Sequence, residues 1–169
     1  SKGTYQGYDD ESSWARGQAW AVYGYTMCYR FTKQQTYLKA AYKIAEFIMS
    51  HCPSEKDFIP YWDYNAPGIP DEPRDVSAAT VTASALYELS MYDETNRTGY
   101  VDRADRILEN LTNRYRASVG KDCGFLLLHS TGSKTHGSEV DVPIVYADYY
   151  YLEALLRKAK LEKEGTALL

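Results

Sequence analysis

The stretch SSWARGQAW, residues 12–20, places an arginine and two tryptophans where a helical pattern begins. Arg16 and Trp20 are four apart, so on a helix they share a face. A guanidinium there can hold a carboxylate by two parallel hydrogen bonds, and an indole can lie against the apolar face of a ring. The same pair also suits an arginine snorkelling beside a core tryptophan, and the residues alone leave both readings open. Trp14 and Gln18 fall on nearly the opposite side, for packing or for the rim of a site. Trp62, in PYWDY, either lines a mouth or pins its own loop. Asp75, just before a helix rich in small residues, reads as a helix cap facing the helix dipole.

Other reactive residue types lack a constellation. His51, His129 and His136 are scattered and fit no triad or ligand spacing, so structural or solvent roles are expected. The three cysteines, Cys28, Cys52 and Cys123, are odd in number, widely spaced and without CxxC, so neither a disulfide framework nor a metal site is expected. No motif implies a cofactor.

The elements that must position these residues are helices. The 169 residues suffice for one domain with its own core, assigned to 1–169. Helical periodicity covers about 14–31, with Ser12 or Ser13 as cap, then 35–51, 77–91, 99–117 with Thr98 as cap, and 143–163. Gly17 and Gly24 inside the first helix suggest close approach by a neighbouring helix or a ligand. GFLLLHST, 124–131, reads as a short strand, half of a hairpin. Residues 53–75 form a long, proline-rich loop whose aromatics, Phe58, Tyr61, Trp62 and Tyr64, argue against disorder.

Charge-poor helices starting near 14, 77 and 143, roughly 60 to 70 residues apart, alternate with charged amphipathic ones at 35–51 and 99–117. That is the logic of helical hairpins with inner and outer rows, the loops before the inner helices gathering at one mouth. The 17 tyrosines suit either a sugar-binding surface or a tyrosine-rich helical core. A formal net charge of −4 offers no basic footprint for nucleic acid. No apolar run reaches the about 18 residues of a membrane span, and the polar N-terminus shows no signal peptide.

In order along the chain, TYQGYDDESSWARGQAWAVYGY, IPYWDYNAP, RDVSAATVTASALYEL, GFLLLHSTG and EVDVPIVYADYYYLEALLR resemble the C-terminal half of glycoside hydrolase family 88, the unsaturated glucuronyl hydrolases. The unsaturated rhamnogalacturonyl hydrolases of family 105 are a weaker resemblance, because WARGQAW looks more like family 88. The resemblance implies an all-α fold, an (α/α)6 toroid of which this chain is roughly the second half. It also implies a bacterial glycosidase that removes an unsaturated uronic acid from oligosaccharides left by polysaccharide lyases, by general acid–base hydration of the sugar's double bond. In the family the catalytic aspartate precedes the QGY motif, so no such role passes to Asp9, Asp10, Asp63 or Asp75, and the isolated chain is expected to be inactive. Substrate binding does carry over: Gln6, Arg16 and Trp20 match positions that contact the unsaturated sugar, and Tyr146 in VYADYY matches another.

The partner is then an unsaturated uronate-containing oligosaccharide, with bacterial cytoplasm and periplasm both open as its location. A half toroid would expose apolar helix flanks, which implies a homodimer or association through that face. A carbohydrate-binding helical domain without activity and a helical-repeat scaffold are the competing readings, although repeat scaffolds show tighter periodicity than this chain.

Overall fold

The structure, a computed structural model, describes residues 3–52 and 57–169. Among them are five α-helices: α1 (Ala15–Thr32), α2 (Gln35–His51), α3 (Val76–Leu89), α4 (Arg97–Arg114) and α5 (Val145–Glu164). Three of them form a parallel row with α3 in the middle. Arg16 meets Asp75 at the N-terminal ends of α1 and α3, and Arg30 meets Glu88 at their C-terminal ends. α5 runs the same way, since Tyr146 lies beside Arg16 and Arg157 pairs with Glu88.

Sequence explains why α3 is central. Its VSAATVTASALYEL is small and nearly chargeless, and every residue of it is buried. Small side chains let α1 and α5 close over it, where Trp20 and Tyr23 both meet the Tyr150 ring edge-on at 5.1 and 5.2 Å. The charged helices behave as amphipathic outer cover. α2 buries only Leu38, Ala41, Ala45 and Ile48, and α4 buries Tyr100, Ala104, Ile107, Leu108 and Leu111. The inner and outer rows expected from charge are therefore present.

Several local expectations are corrected. α1 is not capped by Ser12 or Ser13. Trp14 occupies the cap position without a side-chain bond, and Ala15 N–H donates to the Trp62 carbonyl. Ser12 is engaged elsewhere, its hydroxyl donating to the Asp63 carboxylate at 2.7 Å. α4 starts at Arg97 with Asn96 before it, so Thr98 is no cap. The strand expected at 124–131 does not form. Leu126 and Leu127 N–H groups donate to the Asp148 carboxylate at 2.9 and 3.0 Å, which diverts them from a ladder. What remains of the pairing is isolated bridges, Arg116 with Leu127, Ser130 with Val142 and Ser133 with Ser138. At Gly17 the close neighbour is the Trp14 ring just before the helix, 2.9 Å from where a Cβ would lie, rather than another helix, while Gly24 faces open space.

The long loop is ordered by burial. Phe58, Tyr61 and Trp62 are buried, and Trp62 N–H to Pro73 O and Asp75 N–H to Pro60 O tie its two arms together. Its first residues, 53–56, lie outside the described residues. The cysteines are free, and burial pushes the Cys52 thiol up to about 12. No described helix is long and apolar enough to cross a membrane.

Candidate functional site

The N-terminal ends of α1, α3 and α5 meet under three loops: 3–14, 57–75 and 125–144. Asp75 caps α3 as its sequence position predicted, accepting from the Ser77 and Ala78 N–H groups. Both backbone bonds satisfy amides that a helix start leaves free. The same carboxylate, fully buried, also reaches sideways to Arg16 Nη1 at 3.4 Å and accepts from Thr131 N–H at 3.4 Å. Burial pushes the Asp75 carboxyl up, against the opposing pull of the Arg16 charge and of the Ser77 hydroxyl.

Arg16 is itself only 3% exposed. Its Nη1 donates to the Thr131 carbonyl at 2.7 Å and to the Ser77 hydroxyl at 3.4 Å, and its Nη2 donates to the Gly132 carbonyl. Gln6, from the N-terminal loop, donates its Nε2 to that same Gly132 oxygen at 3.2 Å. Gln6 and Arg16, remote from Gly132 in sequence, thus converge on one acceptor atom.

Aromatic rings surround this point. The Arg16 guanidinium lies 4.8 Å from the Trp14 ring centre and 5.5 Å from that of Tyr146. Trp20 lies 6.3 Å from Tyr146, its ring tilted. Trp14 therefore sits with Arg16 rather than on the opposite side. It precedes the helix proper with a non-helical backbone (φ −58°, ψ 121°), so a helical wheel does not apply there. Burial pushes the Tyr146 phenol up. Trp62 adjoins the cluster through its backbone, its carbonyl accepting from Ala15 N–H. It is buried, and its indole N–H donates to Glu72 at 2.8 Å, so it pins its loop.

Five of the six candidate residues are thus brought together: Gln6, Trp14, Arg16, Trp20 and Tyr146. Two participants escaped the sequence reading. Asp75 was visible as a cap but not as the partner of Arg16. The Thr131–Gly132 segment had no local signal, being more than a hundred residues from Arg16. Loop 130–142 is further fastened by Tyr5 stacking on His136, ring centres 4.5 Å apart, and by Lys134 donating to Glu72 at 3.0 Å. Among the described residues, no three His, Cys, Asp or Glu side chains gather as metal ligands.

A cationic donor with a neutral amide donor beside it, ringed by indoles and a phenol, suits a ligand with a carboxylate, hydroxyls and apolar ring faces. No family model matches the chain. It is 49% identical over 162 residues to an unsaturated glucuronyl hydrolase of Formosa agariphila, covering 95% of this chain and 40% of that protein. It is 34% identical to the unsaturated glucuronyl hydrolase of Bacillus sp. strain GL1, and 35% identical to an unsaturated chondroitin disaccharide hydrolase of Streptococcus pyogenes serotype M1. These alignments cover 92% and 91% of this chain and 41% and 39% of those proteins. The crystal structure of a heparin-specific unsaturated glucuronyl hydrolase superposes with a TM-score of 0.92 at 46% identity, over 96% of this chain and 44% of that one. The Bacillus sp. GL1 enzyme superposes at 0.87 with 32% identity, over 98% of this chain and 43% of that one. In sequence and in helical-toroid fold, the chain is homologous to the unsaturated glucuronyl hydrolases over about 40% of their length.

Proposed function

We propose that this chain is the sugar-holding part of a bacterial unsaturated uronyl hydrolase. The observation that carries the reading is the convergence of Gln6 and Arg16 on the Gly132 carbonyl oxygen inside a ring of Trp14, Trp20 and Tyr146. That oxygen occupies a position where a ligand oxygen would find a charged donor and a neutral one together. The substrate is an oligosaccharide ending in an unsaturated uronic acid. Glycosaminoglycan fragments are favoured, because one solved relative is specific for heparin and another was crystallised with dGlcA-GalNAc6S.

In this reading Arg16 and Gln6 orient the uronate, and the rings exclude water and cover the apolar faces of the sugar. The reaction adds water across the double bond between carbons 4 and 5. A carboxylic acid gives its proton to carbon 4, hydroxide from water joins carbon 5 while the carboxylate takes the water's remaining proton, and the hemiketal so formed opens and releases the sugar beneath. That acid belongs to a segment outside the matched stretch, so residues 1–169 are the C-terminal part of the toroid and supply the floor that holds the sugar.

Partner contacts follow from the same architecture. Val145, Tyr149, Leu152 and Leu156 recur along one face of α5 and are exposed. Such a stripe is what a neighbouring inner helix covers in a closed toroid, whether supplied by the rest of a longer polypeptide or by a second copy. Hydration destroys the conjugated double bond, so its ultraviolet absorbance decays with turnover. The expected result is no decay with the purified 169-residue chain and decay with a polypeptide that adds a complementary helical half. Turnover by the 169-residue chain alone would overturn the assignment of the acid to another segment.

A further inference from the structure

We infer that Asp75 is a positioning residue for uronate recognition, holding Arg16 and the Thr131–Gly132 segment in register with each other. The inference rests on the sugar-holding reading above and names the group that aligns its charged donor. Asp75 is fully buried and carries more bonds than a cap needs. Its Oδ1 accepts from Ser77 N–H at 3.1 Å, from the Ser77 hydroxyl at 2.5 Å and from Thr131 N–H at 3.4 Å. Its Oδ2 faces Arg16 Nη1 at 3.4 Å.

Thr131 is the hinge of the arrangement. Its N–H points to Asp75, its carbonyl accepts from Arg16, and its hydroxyl donates to the Arg74 carbonyl next to Asp75. One carboxylate therefore fixes both the cation and the loop that carries Gly132. It sits at the start of α3, every residue of which is buried. A guanidinium held this way keeps one orientation rather than swinging as a mobile charge, which is what recognition of a carboxylate requires. A cap alone would need only the two backbone bonds, which asparagine makes as well as aspartate.

That equivalence gives the test. Asp75→Asn keeps the cap and the size but turns an amide, not a carboxylate, toward Arg16. Asp63→Asn is the control. Asp63 is as deeply buried and accepts from Tyr8 N–H and the Ser12 hydroxyl, but has no bond to Arg16. Nitrogen-15 NMR of the arginine side chains in the 169-residue chain, with Arg16 assigned through Arg16→Lys, reports whether its guanidinium is held. Titration with an unsaturated uronyl disaccharide and with its neutral methyl ester reports recognition of the carboxylate.

The expected result is that Asp75→Asn loses the slowed Arg16 guanidinium signals and Asp63→Asn keeps them. Affinity for the acid falls about tenfold in Asp75→Asn, the worth of one charge-assisted bond, while the ester changes less than about twofold. Arg16 signals unchanged in Asp75→Asn would overturn the inference, as would an equal loss for acid and ester. If the wild-type chain binds neither sugar but Asp75→Asn still frees Arg16, the sugar-holding reading fails while the alignment of Arg16 by Asp75 stands.

Discussion

The two ends of the inner helix row each bury an arginine against carboxylates, and they do it differently. At the C-terminal end, Arg157 is 2% exposed and pairs with Glu88 and, at 3.2 Å, with Glu153. Arg30, Tyr23 and Ser84 add further bonds to those two carboxylates. At the N-terminal end, Arg16 has one carboxylate, at 3.4 Å, and otherwise rests on the backbone oxygens of Thr131 and Gly132. The first arrangement sets two anions directly against the cation. The second leaves a cation that is held mainly by neutral carbonyls under aromatic rings. An anion arriving there meets a cation with a single carboxylate, whereas the far end already sets two against Arg157, and on that difference we read one end as scaffold and the other as the proposed site.

Breaking the network at the scaffold end produces the largest expected effect. Arg157→Met leaves Glu88 and Glu153 buried without their shared cation, and should destabilise the chain by about 3–5 kcal/mol in urea unfolding. Arg16→Met strands one carboxylate and two carbonyls, and should cost less, about 1–3 kcal/mol by the same method. Equal losses at the two ends would remove the distinction. Arg16→Met should also abolish discrimination between a uronate and its ester, which Arg157→Met variants retaining the fold should keep.

Smaller effects sharpen the description of the mouth. Gly17→Ala brings a Cβ to 2.9 Å from the Trp14 ring, so the indole must move. A gain of about 1 kcal/mol in helix propensity is then offset by displaced packing. The check is a shifted Trp14 emission with a midpoint close to that of the wild type. A pH effect of still smaller size is expected at Glu72. Its burial raises the carboxyl, but hydrogen bonds from Lys134 and the Trp62 indole outweigh this and leave it below the ordinary range. A lowered folded value means stabilisation that is complete above the unfolded value and lost as pH falls through the folded one. Trp62 emission should therefore change in acid below the usual glutamate range, and Glu72→Gln should remove that step.

Much of this was legible in sequence because it is local. The four-residue spacing of Arg16 and Trp20 places them on one helix face, and Asp75 just before a helix of small residues announces a cap. The small residues of α3 announce a helix packed on every side. What stayed hidden depends on chain geometry outside regular elements, or on distant partners. Trp14 defeats the helical wheel because it precedes the first helical residue. The three leucines at 126–128 look like a strand, yet Asp148, from another element, takes two of their amides. Gly132 gives no sign in its own neighbourhood that Gln6 and Arg16 meet at its oxygen. The five motifs in order carried the family resemblance, and the relatives bear that out; the sugar-holding roles are proposed from the geometry of Gln6, Arg16 and Gly132.

The central claim is that the chain holds a uronate without turning it over. The most direct test is one titration of the purified 169-residue chain with an unsaturated uronyl disaccharide, following tryptophan emission and double-bond absorbance together. Saturable quenching that Arg16→Met removes, with absorbance constant, is the predicted result. Decay of the absorbance, or quenching that is unaffected by loss of Arg16, would contradict it.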